Sequence, residues 1–78
     1  MAKKSVASLT HCVNNCRADN VDQAAYMSCV NDCEATFMLG DGNTEVDPPS
    51  GGKVFRDTTG GKVFIDPNGA IGSAPPGY

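Results

Sequence analysis

The sequence predicts a small disulfide-rich α+β protein, in which an antiparallel α-helical hairpin precedes a Gly/Pro-rich tail with a β-hairpin. Three observations favour this fold class. Two segments carry apolar residues at helical spacing, four cysteines form two CX3C pairs within them, and a nine-residue repeat follows. With 78 residues, the chain is long enough for one small domain. The core of such a chain rarely supplies more than ~3–5 kcal/mol, so we expect an additional source of stability.

The composition divides the chain into two segments. All four cysteines lie within residues 1–40, whereas all five prolines and eight of the nine glycines lie within residues 41–78. Residues 39–43 form a run that ends helices and favours turns. We therefore expect a disulfide-stapled helical hairpin at 1–40 and a tail with a β-ribbon at 41–78. A folded first segment with a disordered tail is the alternative that composition leaves open.

Helical spacing predicts helices over residues 5–18 and 21–39. Asn20 followed by Gln23 matches a capping box, which places the start of the second helix at Asn20. Gly40 is expected to end that helix. Because the connection between the helices is short, we expect them to pack as antiparallel neighbours.

The cysteines follow the pattern Cys12-x3-Cys16-x12-Cys29-x3-Cys33. A separation of four residues places both sulfurs of a pair on one helix face. Of the three ways to pair four cysteines, an antiparallel hairpin favours Cys12 with Cys33 and Cys16 with Cys29. The outer bond closes a loop of about 22 residues and would contribute ~3 kcal/mol in the chain-entropy model.

The two CX3C pairs resemble those of two groups of helical hairpins, over residues 12–33. One group is the α-hairpinins, which are plant defence peptides and protease inhibitors. The other is the small Tim chaperones of the mitochondrial intermembrane space. In both groups the first cysteine bonds the fourth and the second bonds the third. The resemblance implies a stapled hairpin and, through the hairpinins that inhibit trypsin, an inhibitor contact at Arg17.

Metal binding is the alternative use of the four cysteines. Four-thiolate zinc sites usually carry CxxC knuckles, whereas helical CxxxC pairs can bind soft ions such as Cu(I). Residues 1–9 contain no secretory apolar stretch, and cytosolic thiols stay reduced, which favours metal. His11 could join such a set, although a lone histidine on a helix surface is usually solvated. We expect disulfides, no metal or other cofactor, and an oxidising or extracellular location.

The tail contains a nine-residue repeat. The sequence GGKVFRD at residues 51–57 recurs as GGKVFID at residues 60–66, and Gly69 continues the period. Glycine-rich nonapeptides can form calcium-binding β-rolls, but Val54 and Val63 replace a glycine that those rolls need. We therefore interpret the repeat as a β-hairpin.

The predicted hairpin has strands at about 53–57 and 62–66, joined by a turn at 58–61. This register places Phe55 opposite Phe64, between two pairs of opposite charge. Those charge pairs are Lys53 with Asp66 and Asp57 with Lys62. Residues 70–72 could add a third short strand after the turn sequence at 66–69. Because an isolated hairpin is marginal in water, we expect it to pack on the second apolar side of helix 2 or on a partner's sheet.

The sequence contains no recognisable catalytic set, so we do not expect an enzyme. A formal net charge of −3 argues against nucleic acid as a partner, and no apolar run is long enough to span a membrane. We predict a structural or interaction protein that docks on a protein partner or self-assembles. The predicted interaction surface consists of Met27, Val30, Met38, Phe55 and Phe64.

Two other functions remain open from the sequence. One is a secreted peptide of the inhibitor, toxin or defence type, with Arg17 as the contact. The other is a ribosomal peptide precursor, with a helical leader and a C-terminal core. The second is suggested by Phe55-x-Asp57 and Phe64-x-Asp66, which resemble the triplets that radical enzymes cross-link.

Overall fold

A computed structural model describes residues 4–78 and shows a helical hairpin packed on a four-stranded antiparallel sheet. The predicted α+β fold class is confirmed, and the tail is an ordered sheet. The strands follow one another in the sheet in chain order. No helix of the described residues is long and apolar enough to cross a membrane. The elements are α1 (Val6–Asp19), α2 (Gln23–Met38), β1 (Thr44–Val46), β2 (Lys53–Arg56), β3 (Lys62–Ile65) and β4 (Ile71–Gly72).

The two helices are delimited by side-chain caps. The side-chain amide of Asn20 and its backbone N–H both donate to the Cys16 carbonyl, at 2.9 and 3.0 Å, so Asn20 ends α1. The predicted capping box at Asn20 is therefore wrong, because the Asn20 side chain donates to a carbonyl at the end of α1 and does not cap the start of α2. Asp22 is the N-cap of α2, and its carboxylate accepts from the Ala25 N–H at 3.0 Å. The Gln23 side chain instead donates to the Asn68 carbonyl in the tail.

The register of β2 and β3 differs by one residue from the predicted one. Phe55 lies opposite Val63, and Phe64 lies opposite Val54. The predicted Phe55–Phe64 pair and both predicted charge pairs are wrong. The reason is the turn, because the Asp57 N–H donates to the Gly61 carbonyl at 3.0 Å and closes a loop of three residues rather than four. A shift of one residue moves Phe55 and Phe64 to opposite faces of the sheet.

The nine-residue repeat corresponds to one strand followed by one turn. The turn after β3 has the same form, since the Asp66 N–H donates to the Ala70 carbonyl at 2.9 Å. Gly60 and Gly69 occupy equivalent positions in the two turns, with φ of +89° and +88°. Glycine adopts this backbone conformation without the steric penalty of other residues. The short strand predicted at residues 70–72 is confirmed as β4, whereas β1 was not predicted.

The helical hairpin and the sheet share one hydrophobic core. The rings of Phe37 in α2 and Phe55 in β2 meet edge to face, with centroids 5.6 Å apart. The Tyr26 hydroxyl of α2 donates to the Gly69 carbonyl in the turn before β4. We call the sheet side with Phe55 the inner face and the side with Phe64 the outer face. The buried core residues are Leu9, Val13, Cys16, Tyr26, Val30, Cys33, Phe37, Phe55, Val63 and Ile65.

Candidate functional site: a basic cavity on the outer face

Two disulfides hold the hairpin together. They join Cys12 to Cys33 and Cys16 to Cys29, with Cα–Cα distances of 5.9 and 5.6 Å. The predicted pairing is confirmed, and no cysteine within residues 4–78 is free. The stapled hairpin expected from the resemblance is therefore present. Two intramolecular disulfides are consistent with an oxidising or extracellular environment.

The sulfurs of the two disulfides are clustered. The Sγ atoms of Cys12, Cys16 and Cys33 lie within 4.8 Å of one another. Metal ligation requires thiolates, so a metal centre at these atoms would require reduction of both bonds. His11 is exposed and does not belong to this group.

The five residues of the predicted interaction surface do not lie together on one surface. Val30 and Phe55 are fully buried in the protein's own core. Met27 is half-buried beside the core, Met38 is exposed at the end of α2, and Phe64 is half-buried on the outer face. Of the predicted second apolar side of α2, Val30 is buried, Met27 is half-buried and Met38 is exposed. The sheet of the same chain covers that side around Val30.

Arg17, the predicted inhibitor contact, lies against Tyr26. Its guanidinium carbon is 4.7 Å from the centroid of the Tyr26 ring, and a guanidinium nitrogen donates to the Tyr26 hydroxyl at 3.2 Å. This cation–π contact joins the end of α1 to the start of α2. The charged group of Arg17 is thus engaged within the hairpin.

The outer face carries a cavity that the sequence did not predict. It lies beside the β2–β3 turn, has a volume of about 340 Å³, and we call it the basic cavity. The correct turn length would have revealed it, because only that register places Arg56 opposite Lys62. The lining residues are Arg56, Asp57, Gly60, Gly61, Lys62 and Tyr78.

Two positive side chains meet at the basic cavity. Arg56 in β2 and Lys62 in β3 are directly opposite each other in the ladder, an arrangement in which like charges destabilise a sheet. The Nε atom of Arg56 is also buried without a hydrogen-bond partner in residues 4–78. A buried donor without an acceptor carries a desolvation penalty. The cavity therefore combines two features that are unfavourable for the folded protein alone.

Asp57 forms one wall of the cavity, with both oxygens engaged. Its Oδ2 accepts from the Val6 N–H at 2.8 Å, at the start of α1. Its Oδ1 accepts from the backbone N–H and hydroxyl of Thr59 and from the Gly61 N–H. The hydrogen bond from Val6, followed by those from Thr59 and Gly61, lowers the pKa of Asp57 from 3.8 to about 2. Asp57 is thus a carboxylate that joins the turn to the helix.

Replacing Asp57 with Asn is expected to destabilise the protein by about 1 kcal/mol at neutral pH, because the side chain is partly exposed and loses charge-assisted hydrogen bonds. Since the folded pKa is lowered, the carboxylate's contribution is complete above about pH 4 and is lost towards pH 2. The difference between the wild type and Asp57→Asn should shrink over that range. Urea unfolding at a series of pH values measures it.

Asp66→Asn is the matched control for Asp57→Asn. Asp66 occupies the equivalent position in the next turn and accepts from the Asn68 and Ala70 N–H groups. The acceptor contacts of its carboxylate lie within its own turn, so we expect a smaller loss of stability. Equal losses in the two variants, or a loss for Asp57→Asn that does not change with pH, would contradict the role assigned to Asp57.

Lys53 is the counterpart of Lys62 in the repeat, but it lies on the inner face. Burial raises the pKa of Glu34 in α2, while the nearby charge of Lys53 acts in the opposite direction and that of Glu45 reinforces the rise. Lys53 therefore has acidic neighbours, whereas Lys62 faces Arg56. Two lysines with the same place in the repeat thus experience opposite electrostatic environments.

Comparisons of the chain with protein-family models, curated proteins and solved structures gave no significant match.

Proposed function

We propose that the protein is a non-enzymatic interaction protein that binds a protein partner through the outer face of its sheet, at and around the basic cavity. The observation that carries the proposal is the direct pairing of Arg56 with Lys62. Two like charges in this arrangement disfavour the folded chain, and a partner that supplies negative charge would relieve the repulsion. The disulfides support the proposal, because a preorganised body loses less entropy on binding.

Features of the same structure weigh against the other functions considered. The edge strands β1 and β4 have three and two residues, which makes them poor templates for self-assembly by strand addition. Inhibition through Arg17 would require its guanidinium to leave Tyr26. Cross-linking of Phe55 to Asp57 would require opening of the core, because Phe55 is fully buried.

A site-specific photo-crosslinker tests the proposal. We expect a benzophenone side chain at the exposed outer-face position Thr44, which pairs with Arg56, to give one saturable adduct in an extract of the native source. Excess unmodified protein should compete with it. The same probe at Asn31, an exposed position in α2, is the control and should not give this adduct. Failure to form an adduct at Thr44, or identical adducts at both positions, would overturn the proposal.

A further inference from the structure

The geometry points to a ligand chemistry for the basic cavity: we infer that it binds a carboxylate side chain from an acidic peptide segment of the partner. This inference rests on the proposed function and specifies which group enters the cavity. The Arg56 guanidinium and the Lys62 ammonium lie at neighbouring positions of adjacent strands and line the same cavity. Together they form the kind of site that accepts a carboxylate, with the planar guanidinium fixing its orientation.

The Nε of Arg56 is a second unfavourable feature beside the like-charge pair. This atom is buried, and it has no hydrogen-bond partner within residues 4–78. An arginine guanidinium has five N–H donors and no acceptor, so only an incoming acceptor can satisfy it. The neighbouring carboxylate of Asp57 accepts its hydrogen bonds from Val6, Thr59 and Gly61. Because Nε has almost no solvent-accessible surface, an acceptor from outside the chain would meet it only after a rotation of the Arg56 side chain.

The size of the cavity and its two cations favour a carboxylate side chain of a peptide over nucleic acid. The cavity is open to solvent on one side and has a volume of about 340 Å³. Nucleic acids bind through many phosphate contacts, whereas this site offers two cations on a chain with a net charge of −3. With Asp57 ionised in the wall, the lining cations Arg56 and Lys62 exceed the lining side-chain carboxylates by one, which one glutamate of a peptide would balance.

Titration of the isotope-labelled full chain with a hexaglutamate peptide tests the inference by NMR. We expect saturable shifts of the Gly60 and Gly61 amide signals and of the Arg56 Nε–H signal, with a Kd of about 1 mM or tighter. Added salt should weaken the binding, because the contacts are ionic. A hexaglutamine peptide of equal length should shift none of these signals. Equal shifts with both peptides, or no shift with hexaglutamate, would overturn the inference.

Lys62→Gln and Lys53→Gln provide a matched pair of variants, since the two lysines are equivalent in the repeat and lie on opposite faces. We expect Lys62→Gln to weaken hexaglutamate binding about tenfold and Lys53→Gln to leave it unchanged. Lys62→Gln should also raise the Tm slightly, because it removes the like-charge pair. Equal weakening by both variants, or a lower Tm for Lys62→Gln, would contradict the assignment.

Inorganic phosphate distinguishes a peptide carboxylate from a free anion. We expect phosphate to compete only at higher concentration than the peptide. Displacement of the peptide by a lower concentration of phosphate would show a free-anion site and overturn the peptide assignment.

If hexaglutamate fails to bind while the Thr44 probe still forms its adduct, the carboxylate inference fails and the proposed function stands. If hexaglutamate binds but the adduct is absent, the proposed function fails and the cavity's ligand chemistry stands.

Discussion

Removing either disulfide by double substitution, Cys12→Ala with Cys33→Ala or Cys16→Ala with Cys29→Ala, is expected to destabilise the protein by about 3 kcal/mol. In the chain-entropy model the cost depends on the enclosed loop, and the sequence separations of 21 and 13 residues give similar values. A chain of this size has about 3–5 kcal/mol from its core, so the loss should leave it close to unfolding. Chemical denaturation without a reductant measures the effect.

The sheet should lose order together with the helices when both bonds are removed. Cys16 and Cys33 are buried in the same cluster as Phe55 and Val63, so the hairpin and the sheet depend on one core. We choose alanine because a serine hydroxyl at these buried positions would add a desolvation penalty. Amide hydrogen exchange reports the two layers separately. A chain without disulfides that retains protected amides in β2 and β3 would contradict the shared core.

Gly69→Ala is expected to destabilise the protein by about 3 kcal/mol, more than twice the effect of Gly60→Ala. Both glycines have a positive φ, at +88° and +89°, so alanine meets a similar backbone penalty of about 1 kcal/mol at each. A Cβ at Gly69 would lie 2.7 Å from both Met27 Sδ and Tyr26 Cε2, whereas a Cβ at Gly60 has nothing within 4 Å. Met27 is flexible, but the Tyr26 ring is fixed in the core.

The difference between the two alanine variants isolates the packing of the β3–β4 turn on α2. Thermal or urea unfolding of both variants gives this difference directly, because the backbone term cancels. We also expect Gly69→Ala, but not Gly60→Ala, to move the NMR signals of Tyr26, since its hydroxyl donates to the Gly69 carbonyl. Equal losses of stability in the two variants would show that the turn does not pack as described.

The register of β2 and β3 shows where prediction from sequence ended. Residues 58–61 contain two threonines followed by two glycines, a composition that fits loops of more than one length. In both turns of the repeat an aspartate carboxylate accepts a backbone N–H within the turn, from Gly61 for Asp57 and from Ala70 for Asp66. The Asp57 carboxylate also accepts from the Val6 N–H of α1, a contact that spans 51 residues along the chain and that local turn preferences do not include.

The one position that differs between the two seven-residue copies of the repeat has a structural explanation. Because the turn has three residues, the register places residues of β2 and their equivalents nine positions later in β3 on opposite faces of the sheet. Arg56 lies on the outer face and lines the basic cavity, whereas its counterpart Ile65 lies in the core. The substitution thus follows the change of environment, although the sequence alone did not reveal which copy would be buried.

By itself, the sequence determined the helical hairpin, the pairing of its cysteines and the presence of a strand-and-turn repeat. These features depend on contacts within a helix turn, on cysteines that lie opposite each other in two antiparallel helices, and on the residue preferences of short turns. Only the tertiary structure decided which residues of the repeat face the helices, and hence that Phe55 is buried while Arg56 and Lys62 form a cavity. The physical reason is that the alternation of side chains along a strand converts a one-residue change in turn length into an exchange of faces.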